Sequence, residues 1–178
     1  MGIESNICTK ACNFKSAAAL IVDYNAPSSE LMGRTLSGLK LRHIYRSFST
    51  EDALLLLSEN EIDIVIINAD TIHEKALQLL ETVRFRQTRT PIPVPKTKHM
   101  SIIPFAITCS AVTPKMAQKI ADAGICALVS MPLKPIDFMN KVKNLLYVHC
   151  EDNCFNMANL ALEDSGFLEE ASEQAPAG

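Results

Sequence analysis

The sequence predicts an α/β domain with a doubly wound, five-stranded, mostly parallel sheet and helices on both faces. Two observations carry this. Short apolar runs alternate with helix-patterned segments five times between residues 17 and 148, and Ile62-Asp-Ile-Val-Ile-Ile67 is dominated by β-branched residues, as in a strand buried on both faces. Right-handed crossovers connect the strands of such a sheet. Its working site lies at the carboxyl ends of the strands, near residues 23–25, 68–70, 109–111 and 130–132.

Ala18-Ala-Leu-Ile-Val-Asp23 reads as the first strand, and Leu31, Met32, Leu36 and Leu39 follow at the spacing of a helix face. Pro27 suits that helix's first turn, where its fixed φ fits and an N–H is not needed. Leu41–Phe48 alternates as a second strand; Thr50 offers an N-cap, with Glu51 and Asp52 in the first turn of a short second helix over Ala53–Leu57. A third helix is expected over His73–Phe85, after the third strand. Ile102–Cys109 is a fourth strand, Pro114–Ala123 a helix stopped by Gly124, Cys126–Ser130 a fifth strand, and Pro135–Val148 the last helix.

Residues 86–101 interrupt the rhythm. Pro91, Pro93 and Pro95 among basic residues make an extended loop, long against the about 2–6 residues usual between helix and strand. The stretch 84–99 has no acid, so Arg86, Arg89, Lys96 and Lys98 are candidates for docking an acidic partner, beside the plain alternative of a solvated insertion. Around the domain of residues 17–148, residues 1–16 form an N-terminal extension and residues 149–178 an acidic tail. The tail holds Glu151, Asp152, Glu163, Asp164, Glu169, Glu170 and Glu173 and no Lys or Arg.

Composition narrows the function classes. With 48 % hydrophobic and 21 % charged residues, a chain of 178 residues can bury one core. Its 17 basic against 20 acidic residues give no electrostatic footprint for nucleic acid or an anionic membrane. Stretches such as Ala17–Val22 fall far short of the about 20 residues of a membrane span, and residues 1–16 lack the apolar core of a secretory signal. A cytoplasmic protein with reduced cysteines is expected. The glycines are isolated, so no phosphate-cradling loop is present, and His43, His73, His99 and His149 form no catalytic or metal pattern. Neither an enzymatic activity nor a cofactor is expected, and the tail is too short and too acidic for a DNA-binding output module.

Pro104-Phe-Ala-Ile-Thr-Cys-Ser, then Ala123-Gly124, then Met131-Pro132 have the spacing by which residues 17–148 resemble the bacterial two-component receiver family, of which CheY is the familiar form. The resemblance implies a flavodoxin-like fold and a role for each matching position. Asp23 matches one of the acidic pair that binds Mg²⁺, with Tyr24 in place of the other. The phosphoacceptor position falls on Asn68, whose amide is a poor nucleophile toward phosphorus. The switch hydroxyl falls on Cys109, or on Thr108 or Ser110 if the register shifts by one. The phosphoryl-neutralising lysine falls on Met131, with Lys134 beyond Pro132, and the aromatic switch on Leu128. The implied phospho-pocket of Asp23, Tyr24, Asn68, Cys109, Ser110, Met131 and Lys134 is therefore degenerate. Clustered carboxylates hold Mg²⁺ and the lysine offsets added negative charge, so the losses belong together. Asn68 is expected instead to hydrogen-bond Asp23 or Tyr24 and tie the strand ends.

The expected function is that of a pseudo-receiver. It would be a signalling adaptor that binds a histidine kinase, phosphotransfer protein or other regulator without phosphoryl transfer. Its surfaces would be the first helix and the face of the fourth helix, fifth strand and last helix, the latter also suited to homodimerisation. Two alternatives stay open. One is an unorthodox receiver phosphorylated in the Asp70 or Asp23 region, although Asp70 is expected to point out of the pocket. The other is a cysteine-based sensor: Cys109 as a redox thiol rather than a small buried hydrophobe, or Zn²⁺ held by Cys8, Cys12, Cys150 and Cys154, with His149 as a substitute ligand, rather than isolated thiols. The tail and the basic loop both leave the amino-terminal edge of the sheet, where opposite charge would join them weakly. If they touch, deleting residues 151–178 will increase protease cutting within residues 86–99, and unchanged cutting would remove the contact.

Overall fold

The computed structural model describes residues 14–72, 74–85, 103–122 and 127–148. Expectations for Cys8, Cys12, Cys150, Cys154, His149, Arg86, Arg89, Lys96 and Lys98 lie outside these residues. The described chain runs β1 (Ala18–Val22), α1 (Ala26–Ser37), β2 (His43–Ser47), α2 (Thr50–Glu59), β3 (Ile64–Asn68), α3 (Ala69–Ile72), α4 (Glu74–Phe85), β4 (Phe105–Cys109), α5 (Pro114–Asp122), β5 (Ala127–Ser130) and α6 (Pro135–Val148). All strands are parallel, in the order β2-β1-β3-β4-β5. The predicted doubly wound sheet is therefore the observed one.

The central strands β1, β3 and β4 are buried at every residue, because each face carries its own helix layer. On one face α2, α4 and α5 set Leu57, Leu80, Val83 and Ile120 against Leu20, Val65, Ile67 and Phe105. On the other, α1 and α6 set Met32, Leu36, Phe138 and Val142 against Ile21, Ile64, Ile66 and Val129. Alternate side chains of one strand thus feed two separate apolar layers.

Several local expectations are corrected. The second helix is ten residues long, and its N-cap is Ser49, whose side chain accepts from the Asp52 N–H; Thr50 already lies inside the helix. Asn25 caps α1 in the same way through the Ser28 N–H, with Pro27 in the first turn as predicted. Helical structure after β3 begins at Ala69, because a short α3 precedes the expected helix. The fourth strand starts at Phe105 rather than Ile102, although Ile103 and Pro104 are buried and the Pro104 carbonyl accepts from Val65 N–H. Proline has no N–H to place in a ladder, which delays the strand. The expected second strand is trimmed to His43–Ser47, the third shifts to Ile64–Asn68, and the fifth is described over Ala127–Ser130, with Cys126 outside the described residues.

Among the described residues no helix is long and apolar enough to cross a membrane. Phe138, on α6 and wholly buried, is the largest fully buried side chain of its layer. Phe138→Ala is expected to lower unfolding free energy by about 3–5 kcal/mol, measured by urea denaturation.

Candidate functional site

The sheet order reverses between β1 and β3, since the chain steps from β1 outward to β2 and then returns to β3 on the other side. Such a reversal opens a crevice at the carboxyl ends of the two strands, where doubly wound domains place their ligands. Asp23 follows β1 there, and Asn68 ends β3.

Asp23 is fully buried. Its Oδ2 accepts from Asn68 Nδ2 at 2.9 Å, and its Oδ1 accepts from Thr71 Oγ1 at 2.7 Å and from the Asn25 N–H at 2.9 Å. Asn68 also donates to Ser28 Oγ at 3.3 Å and accepts from the Asp70 N–H at 3.1 Å, so each polar atom of its amide is engaged. Of the two partners anticipated for Asn68, the structure selects Asp23. Tyr24 instead projects toward solvent, with the Lys75 ammonium 5.8 Å from its ring centroid and its N–H donating to Thr71 Oγ1.

The remaining predicted positions do not converge on this pair. Cys109 is buried in the layer under α2, α4 and α5. Burial, and then the charge of Asp70, push its thiol pKa up to about 11. Thr108 is also wholly buried, and its hydroxyl has no hydrogen-bond partner among the described residues. Ser110 is exposed and bound to Asp70: its N–H lies 2.9 and 3.0 Å from the two carboxylate oxygens, and its hydroxyl donates at 2.6 Å. Asp70 thus bridges the β3 and β4 ends and faces Ser110; none of its described hydrogen bonds goes to Asp23. Met131 is half-buried, with its N–H donating to the Cys109 carbonyl, and Lys134 lines a cleft along β5.

Sequence reasoning passed over Thr71, Asn25 and Ser28, which complete the network. Their signal is positional: polar residues in the first turns after β1 and β3 face the same crevice. The arrangement also bears on Mg²⁺, which the receiver resemblance implies. That ion needs several oxygen ligands free to coordinate. Here one carboxylate has both oxygens engaged by neutral donors, a tyrosine stands where a second acid would, and the Asn68 amide nitrogen faces Asp23. The donor set does not fit the metal. Among the described residues no three His, Cys, Asp or Glu side chains are grouped to hold any metal ion.

No protein-family model and no curated protein matches the chain. Solved structures do. The chemotaxis response regulator CheY4 of Vibrio cholerae superposes with a TM-score of 0.60 at 14 % identity, over 73 % of this chain and 98 % of that one. A CheY-like receiver domain protein from Methanospirillum hungatei gives 0.62 at 13 %, over 75 % and 96 %. A receiver protein from Pseudoalteromonas atlantica gives 0.58 at 17 %, over 72 % and 96 %. The chain has the receiver fold. In that fold the Asp23–Asn68 pair occupies the strand-end crevice, and α5, β5 and α6 form the face anticipated for partners.

The raised pKa of Cys109 gives a signed expectation. The unfolded chain loses this proton from about pH 9 and the folded one only near pH 11. The unfolded state binds fewer protons between those values, so this thiol makes stability fall as pH rises through that window. At pH 8 Cys109 should resist iodoacetamide in the folded protein and react once unfolded, as read by peptide mass spectrometry.

Proposed function

We propose that this chain is a signalling adaptor of receiver fold that binds protein partners without accepting a phosphoryl group. The partner would be a histidine kinase, a phosphotransfer protein or another regulator of such a pathway, engaged through α1 and the α5-β5-α6 face. The supporting observation is the Asn68 amide donating to the buried Asp23 carboxylate. An aspartate in that place could not donate and would set a second negative charge against the first. The amide does the opposite: it donates to the carboxylate and brings no second charge into the crevice.

The rival reading, phosphorylation at Asp70, draws less support. Its carboxylate is engaged by the Ser110 N–H and hydroxyl, and a nucleophile so held must first surrender those bonds. A redox role for Cys109 meets a similar obstacle, since a neutral thiol is a weak nucleophile.

The test is an amide NMR titration with Mg²⁺ and beryllofluoride, run on the wild type and on Asn68→Asp. The wild type is expected to stay silent. Broad shifts near residues 23, 68–70 and 109–131 would mean a live phospho-switch and overturn the proposal. Asn68→Asp is expected to lose stability at neutral pH, where two carboxylates face each other, and to recover it on adding Mg²⁺.

A further inference from the structure

β5 is an outer strand of the described sheet. Just past its end the Met131 N–H bonds inward to the Cys109 carbonyl at 2.8 Å, and in a parallel ladder inward and outward residues alternate. Val129 and Ala127 therefore face β4, while the backbone groups of Leu128 and Ser130 turn outward. One outward group has a partner that is not a strand: Lys141 Nζ donates to the Leu128 carbonyl at 2.7 Å. A flexible lysine on an edge carbonyl is a replaceable cap, of the kind that keeps an edge from pairing indiscriminately.

This edge opens onto a cleft of about 430 Å³, within the size range of ligand sites. Cys109 and Leu128 give it an apolar floor, and Lys134, Asp137, Lys141 and Asn144 a polar rim. The rim sets two ammonium groups against one carboxylate. The chain as a whole carries a net charge of −3. Against that background, the described rim along this edge is positive on balance, with Lys134 and Lys141 facing Asp137.

From these observations we infer that the β5 edge receives an extended acidic peptide segment of a partner protein. The segment adds as a strand to the Leu128 and Ser130 backbone, buries one apolar side chain on the Cys109–Leu128 floor, and draws Lys141 from the Leu128 carbonyl onto its own carboxylate. Main-chain pairing supplies affinity in this mode, and the side chains along the groove supply selectivity. The inference rests on the partner-binding reading above and gives that partner a chemistry.

The probe is a short fluorescein-labelled peptide alternating glutamate with valine about a central phenylalanine, beside a control with lysine for glutamate, both added to the full chain. The acidic peptide should shift amides at 109, 128–130 and 137–144, slow hydrogen exchange at Leu128 and Ser130, and weaken with salt. Ser130→Pro removes an outward N–H without touching the inward ladder, and should weaken binding about tenfold while the melting temperature holds. Lys141→Met should do the same and flatten the salt dependence. Equal binding of the lysine peptide, shifts elsewhere on the surface, or no effect of Ser130→Pro would overturn the inference. So would concentration-dependent shifts at 128–130 without peptide, which would assign the edge to a second copy, and so would tighter peptide binding after removal of residues 151–178, which would assign it to the chain's own tail. None of these outcomes alters the beryllofluoride result, so the two readings fail separately.

Discussion

A buried carboxylate governs the carboxyl end of this sheet. Asp23 has no solvent exposure, and burying an ionised group is costly unless its lone pairs are satisfied. Its described partners are the Asn68 amide, the Thr71 hydroxyl and the Asn25 N–H, all of them neutral donors. Hydrogen bonds to an ionised acceptor are stronger than neutral ones, which lets three donors stand in for a counter-ion. They come from the β1–α1 turn, the end of β3 and the short α3, so a single charge fixes three chain segments against one another.

That constraint explains why α3 exists. Thr71 reaches Asp23 only if the chain turns helical at once after Asn68, and Asn68 Oδ1 helps by accepting from the Asp70 N–H two residues on. Asp70 is left on the outer side of the turn, where it draws in Ser110 and joins β3 to β4. A crevice that could have been open and hydrated is a connected set of hydrogen bonds.

The two sheet edges are managed differently. β2 carries exposed and half-buried side chains up to the buried Ser47, with His43 and Tyr45 in ring contact at 5.7 Å. β5 is short, lies beside a cleft, and has Lys141 across an outward carbonyl. A lysine across an edge carbonyl blunts pairing yet can be moved aside.

The order of strands and helices was legible in the sequence, because apolar periodicity is local and each run had to be buried on one or two faces. Pro135–Val148 matched to the residue, since Pro at the start of the helix and the apolar face led by Phe138 mark it plainly. The spacing around Ala123-Gly124 and Met131-Pro132 also pointed to the receiver fold, and the same alignment set Asn68 beside Asp23. Tertiary structure alone decided the rest. Ser49 displaced Thr50 as a cap because a side-chain oxygen must sit three residues before the N–H it accepts from, a choice two adjacent hydroxyls leave open. Cys109, Thr108 and Ser110 were interchangeable in the sequence, and strand register separated them: Cys109 entered the core, Thr108 was buried with no hydroxyl partner among the described residues, and Ser110 met Asp70. Thr71 and Lys141 were invisible to pattern reading, since each acts across 48 and 13 residues of chain on a group that only the folded sheet brings within reach.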